Sequence, residues 1–220
     1  MPRPEGDAGE WRGSLARLGR QGREVVALVR GDVALRRLLV GNALVGVSTM
    51  AAALYAASAV RLGGLTDADV GVESTILFVA MTAGNFAWGW VGDRAGHRAV
   101  LVGGATCAAL AALLGLAASG FVAYAAVFLL LGLSLSGVQL AGFTLITEFG
   151  PEERRPTYVA LASVGYAPFA IGAPLVGGAI ANAWGYPPVF VLTAVAGLAG
   201  AALIQFWVPD PRRLRAVTRR

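Results

Sequence analysis

Six apolar stretches, at roughly 38–60, 72–92, 99–118, 121–145, 157–181 and 188–208, alternate with short polar or glycine-bearing connections. Each is near the ~20 residues with which an α-helix crosses ~30 Å of hydrocarbon. No stretch alternates apolar and polar residues at period two, which excludes a membrane β-barrel. The pattern predicts an all-α fold, a polytopic membrane protein with six transmembrane helices. Trp88 and Trp90, Trp184 and Tyr186, and Trp207 fall at stretch ends, where interfacial aromatic belts form.

Ahead of the first stretch, residues 1–36 form a basic leader whose first ten residues read as disordered. From Trp11 to Val33 the apolar positions Trp11, Leu15, Leu18, Val25, Val29 and Val33 recur mostly at three- and four-residue steps. Such spacing suits an amphipathic helix on an anionic leaflet, while Gly19, Gly22 and Gly31 suit a solvated basic linker equally well. Residues 37–208 then form the bundle and residues 209–220 a basic tail.

Composition supports the membrane reading. The chain is 56% hydrophobic and 14% charged, where a soluble domain carries about 25%. Its mean hydropathy is +0.65. All 18 basic residues are arginine, and they cluster before the first stretch, in the even connections and in the tail; Arg61 alone falls in an odd one. This is the positive-inside pattern, which predicts a multi-pass protein of the cell membrane with both termini cytoplasmic. The pI of about 10.1 then reflects topology rather than nucleic-acid binding. Cys107 is the sole cysteine and His97 the sole histidine, so no disulfide framework, multi-histidine metal site or other cofactor is expected. The first 24 residues lack an apolar core, so no cleaved signal peptide is expected and the first span serves as anchor.

Polar residues are unevenly shared among the spans. Asn42 and Thr49 share a face of span one; Thr75, Thr82 and Asn85 do so on span two; Ser136, Gln139 and Thr147 do so on span four; Tyr166 lies in span five. Polar groups within a bilayer turn toward the bundle interior or a wet cavity. Spans one, two, four and five are therefore expected to line a cavity, and spans three and six to face lipid. The plainer alternative is that each group bonds a neighbouring helix, worth about 0.6–2 kcal/mol. Glu73 reads as interfacial, at the outer boundary on the face of Ala80 and Gly84. Pro168 and Pro174 remove backbone donors from span five and predict a kink.

Between spans two and three lies Gly89-Trp-Val-Gly-Asp93-Arg94-Ala-Gly96-His97-Arg98. Gly89 permits a close helix crossing and Gly96 a tight reversal. Asp93 can accept N–H bonds from a helix start, where the dipole favours negative charge. Arg94 and Arg98 anchor in headgroups or pair with acids. Glu148, Glu152 and Glu153, beside Arg154 and Arg155 in the fourth connection, supply such acids, which suggests a charge latch between the two connections.

The pattern Gly89-x-x-x-Asp93-Arg94-x-Gly96-x-Arg98 resembles the loop signature of the major facilitator superfamily, with His97 where Lys or Arg is usual. The segment from Glu148 to Tyr158 resembles the acid-to-arginine loop two spans later. Ala173-Pro174-Leu-Val-Gly177-Gly178 resembles the Gly-Pro-x-x-Gly-Gly element of span five. The resemblance implies one half, the C-terminal one, of a twelve-helix carrier. It implies alternating access of a small-molecule substrate between two rocking halves, with the Asp93 turn as latch. The implied partner is a missing N-terminal half, a second chain or a homodimer mate. A non-transporting assembly subunit is the alternative. An intramembrane enzyme is disfavoured, since His97 lies in a loop and Ser136 has no companion base.

Overall fold

The computed structural model describes residue 31 and residues 33–149 and 155–208; within its helices the side chains of 34, 35, 143, 145–149, 155–167 and 170 are not described. By contacts the chain divides into Met1–Arg36 and Arg37–Arg220. Apart from residue 31 and residues 33–36, the leader lies outside the described residues, as does the tail. Among the described residues there are seven helices: α1 (Val33–Val47), α2 (Tyr55–Arg61), α3 (Asp67–Ala95), α4 (His97–Ala117), α5 (Gly120–Phe149), α6 (Arg155–Trp184) and α7 (Tyr186–Trp207). Among the described residues, α3, α4, the Gly120–Gly142 part of α5, and α7 are each long and apolar enough to cross a membrane; Ile171–Trp184 is shorter.

Span one is not the continuous helix expected. It breaks after Val47 and resumes at Tyr55, and between them the bonds from Thr49 N–H to Gly46 C=O and from Met50 N–H to Val47 C=O are of the tighter i→i+3 kind. The hydroxyls of Ser48 and Thr49 donate to the Val45 and Gly46 carbonyls at 2.7 Å, competing with the regular helical ladder. Irregular backbone is tolerated at membrane depth only against protein or a wet cavity. Here Met50 lies against Gly177 of α6, where an added Cβ would meet the Met50 carbonyl oxygen at 3.2 Å. By contrast, α6 runs unbroken through Pro168 and Pro174.

Span two starts earlier than the apolar pattern suggested, because Thr66 caps it. The Thr66 hydroxyl accepts from Asp69 N–H at 3.2 Å, and the Asp69 carboxylate accepts Thr66 N–H at 2.9 Å. This reciprocal capping box begins α3 at Asp67.

Small residues set the helix spacing. α4 sits between α5 and α7, and α3 packs along α5. A Cβ on Gly104 would meet Val138 N at 3.0 Å, and one on Gly197 would meet Ala105 O at 3.0 Å. At the end away from the Asp93 turn, Tyr55, Tyr124, Phe128, Tyr186 and Phe190 form the bulk of the core. Tyr55 stacks on Phe190 with ring centroids 5.2 Å apart. The outward side chains of α4 and α7 include Leu110, Leu113, Val191, Leu192, Val195 and Leu198, an apolar surface suited to lipid.

Two residues depart from their expected places. Trp88, expected in an interfacial belt, packs inward: its indole N–H donates to the Leu133 carbonyl at 2.8 Å, and its ring fills the space that side chains on Gly103 and Gly137 would need. Trp88→Phe is expected to lose that bond, costing about 1 kcal/mol and lowering the unfolding temperature in detergent. An unchanged midpoint would show that the bond adds nothing. Glu73, expected at the outer boundary on the face of Ala80 and Gly84, has a fully buried side chain.

Candidate functional site

The Gly89–Arg98 segment forms the last turns of α3, a one-residue reversal and the start of α4. Gly96 makes the reversal at φ 90°, a left-handed value that glycine adopts without Cβ strain. Its N–H donates to Gly92 C=O at 3.0 Å. Gly92 is buried beside His97, whose ring an added Cβ would meet at 3.4 Å. Asp93 sits exposed on the final turn of α3.

The arginines of this segment have specific partners. The Arg94 guanidinium lies 3.9 Å from the Trp90 ring centroid, one turn back on the same helix, a cation–π contact. Arg98 donates to the Val208 carbonyl at 3.0 Å, just past the end of α7. Arg37, in α1, donates to the neighbouring Trp207 carbonyl at 3.2 Å and lies 5.8 Å over the Trp207 ring. Two guanidiniums thus close the carbonyl end of α7, where the helix dipole favours positive charge. Helices α1, α4 and α7 are fastened together there. Glu148 and Arg154 lie outside the described side chains, as does that of Arg155, which opens α6.

The expected cavity residues separate into three groups. Asn42 and Ser136 are buried within the bundle; the Ser136 hydroxyl donates to Leu133 C=O at 3.0 Å and packs where Gly84 leaves room. Thr49 lies half-buried in the interruption of span one. Thr75, Thr82 and Asn85 of α3 and Gln139 of α5 are exposed. The hydroxyls of Thr75 and Thr82 donate to Gly71 and Phe78 carbonyls one turn back, so they satisfy themselves within their own helix. Ser136 and Gln139, placed on one face by helical phase, therefore differ in surroundings. Thr147 and Tyr166 fall outside the described side chains. Pro168 is exposed and Pro174 half-buried on α6.

Sequence reasoning missed the slot for Trp88, the break at Ser48 and the burial of Glu73. The capping box was legible as Thr66-x-x-Asp69, and the break had a local signal in Gly46-Val-Ser48-Thr49. The Trp88 slot depends on glycines of two other helices, which no local pattern discloses.

This helical bundle has glycine-lined crossings and an Asp-Arg-x-Gly reversal between two of its apolar helices. The family model of the Major Facilitator Superfamily matches residues 38–220. The chain belongs to that superfamily and is an integral membrane protein. It is also similar to the cis,cis-muconate transport protein of Acinetobacter baylyi, 28% identical over 148 residues. That match covers 67% of this chain and 35% of the relative, so the chain spans about a third of its length.

Proposed function

We propose that this chain is one six-helix half of an alternating-access carrier for a small organic solute. The observation that carries the reading is the polar surface left on α3 and α5: Thr75, Thr82, Asn85 and Gln139 are exposed although their helices are apolar enough to span a bilayer. Exposed amides in hydrocarbon are costly, so this surface is suited to a water-filled path or a second bundle. Gly89 supports the second bundle, because a Cβ there would meet nothing within 4 Å among the described residues.

The other half is supplied by further sequence of the same polypeptide, by a second chain or by a second copy. Arginine placement supports a cytoplasmic side of the cell membrane for the Asp93 turn and both termini. There Asp93, Arg94 and Arg98, with Glu148, Arg154 and Arg155, act as the latch that closes when the carrier faces outward. The chemistry is movement of solute, with no catalytic step. Cis,cis-muconate, named by the similar protein, is the first solute to test.

The test is uptake by the assembled carrier. Asn85→Ala and Gln139→Ala are expected to raise the KM for uptake about tenfold, a loss of ~1.4 kcal/mol, at unchanged amounts of inserted protein. Unchanged kinetics in both variants would remove this surface from the path. No uptake by the unaltered assembly would favour a non-transporting subunit.

A further inference from the structure

Glu73 is the outstanding anomaly of the bundle. It lies 0% exposed on α3, and among the described residues neither carboxylate oxygen has a hydrogen-bond partner. Val70 and Leu77, one turn to either side on the same face, pack against the apolar cluster that holds Tyr124, Val127, Phe128 and Leu131. Ala80 and Gly84 continue that face against Gly132 and Ser136 of α5. The position is six residues, about 9 Å, inside the start of α3.

The ionisable groups on elements packed against α3 do not neutralise it. Among the described residues they are Tyr124 of α5, Tyr55 and Arg61 of α2, and Cys107, His97 and Arg98 of α4; Asp67, Asp69, Asp93 and Arg94 belong to α3 itself. Glu148 of α5 is outside the described side chains. Asp69 is turned back to Thr66, Arg98 to Val208, and Arg61 is exposed. The phenol oxygens of Tyr55 and Tyr124 are themselves buried without partners among the described residues. An ionised carboxylate buried without a counter-charge is unstable, and such a group takes a proton instead.

We infer that Glu73 is a proton-binding site of the bundle, loaded when α3 and α5 pack as they do here and emptied when that end of α3 opens to water. The step is a proton transfer between carboxylic acid and water, with no bond to carbon altered and no electrons moved. Joined to the proposed carrier function, on which this part rests, it names the proton as the coupling ion.

The site can be tested without transport. The purified chain in phosphatidylcholine vesicles is treated with dicyclohexylcarbodiimide, which adds to protonated carboxyls in apolar surroundings, across a pH series. Peptide mass mapping is expected to find the adduct on Glu73 and not on Asp69 or Asp93, with a yield falling roughly tenfold per pH unit above its midpoint. No adduct on Glu73 at any pH, or a yield that follows Asp69, overturns the site. In parallel, the folded chain binds a proton that the unfolded chain releases, so wild-type stability is expected to fall as pH rises above the ordinary carboxylate range. Glu73→Gln, and Glu73→Leu as a second neutral variant, are expected to remove that slope; a slope kept by both overturns the site. Labelled Glu73 in an assembly that moves no solute upholds the proton site and refutes the carrier reading. In a working assembly, Glu73→Gln is expected to keep solute exchange and lose accumulation driven by a pH gradient. Accumulation at the wild-type level refutes the coupling.

Discussion

Gly132→Leu is expected to lower the stability of the folded bundle by about 3 kcal/mol while leaving membrane insertion intact. A Cβ at this position would lie 2.5 Å from the Leu77 carbonyl oxygen and 2.7 Å from the Ala80 Cβ. Backbone cannot step aside as a flexible side chain can, so α3 and α5 must separate. Overpacking in a well-packed interior typically costs about 1–3 kcal/mol, and a leucine against backbone falls at the upper end. Separation also loosens the contacts that bury Glu73, Ser136 and Trp88, all of which lie along the same pair of helices. The measurement is the yield of monodisperse protein and its unfolding midpoint in detergent. Gly142→Ala is the control, because a Cβ there would meet nothing within 4 Å among the described residues. A wild-type midpoint for Gly132→Leu would mean that α3 and α5 do not cross as closely as described.

The second large effect separates function from fold. Asp93→Asn is expected to reduce uptake by the assembled carrier at least tenfold, about 1.4 kcal/mol at the limiting step, with the folded bundle and its insertion retained. Asp93 is exposed on the last turn of α3, so replacing its charge removes little packing. Gly89→Leu is expected to behave alike, since the space beside Gly89 is open in this chain and filled by the second bundle in the proposed carrier. Uptake at the wild-type rate in Asp93→Asn would refute the latch. A lowered midpoint in Gly89→Leu would show that this face packs within the chain rather than against a mate.

Much of the architecture was legible along the chain, and for identifiable reasons. A stretch of about twenty apolar residues has few physical options in a bilayer, where a helix satisfies its backbone internally. Helices cover the predicted stretches except where span one is interrupted, and the Asp93-Arg94-x-Gly96 reversal lies between two of them. Boundaries were less legible. The Thr66–Asp69 box adds a turn to α3 that hydropathy undervalues, because Asp67 and Asp69 are charged. The interruption at Ser48 was harder still. Prolines are the usual breakers, yet Pro168 and Pro174 sit inside an unbroken α6 while hydroxyls accompany the break in span one.

The candidate site divides in the same way. Helical phase correctly groups residues by angle around their own helix, but it does not say which neighbour occupies that angle. Ser136 and Gln139 are three residues apart; one is sealed against Gly84 and the other is exposed. Arg98 looked like a headgroup anchor or an acid's partner, and it instead closes a helix end 110 residues away.

The linear order of apolar and charged residues by itself determined that this protein is helical, spans a membrane and carries the superfamily turn. Those properties follow from the transfer of each segment between water and hydrocarbon, which a segment's own composition sets. Tertiary structure alone decided that Trp88 occupies a glycine slot, that two arginines meet at one helix end and that Glu73 is sealed from water. Each of these depends on atoms brought together from separate helices, and burial, unlike hydropathy, is a property of neighbours in space.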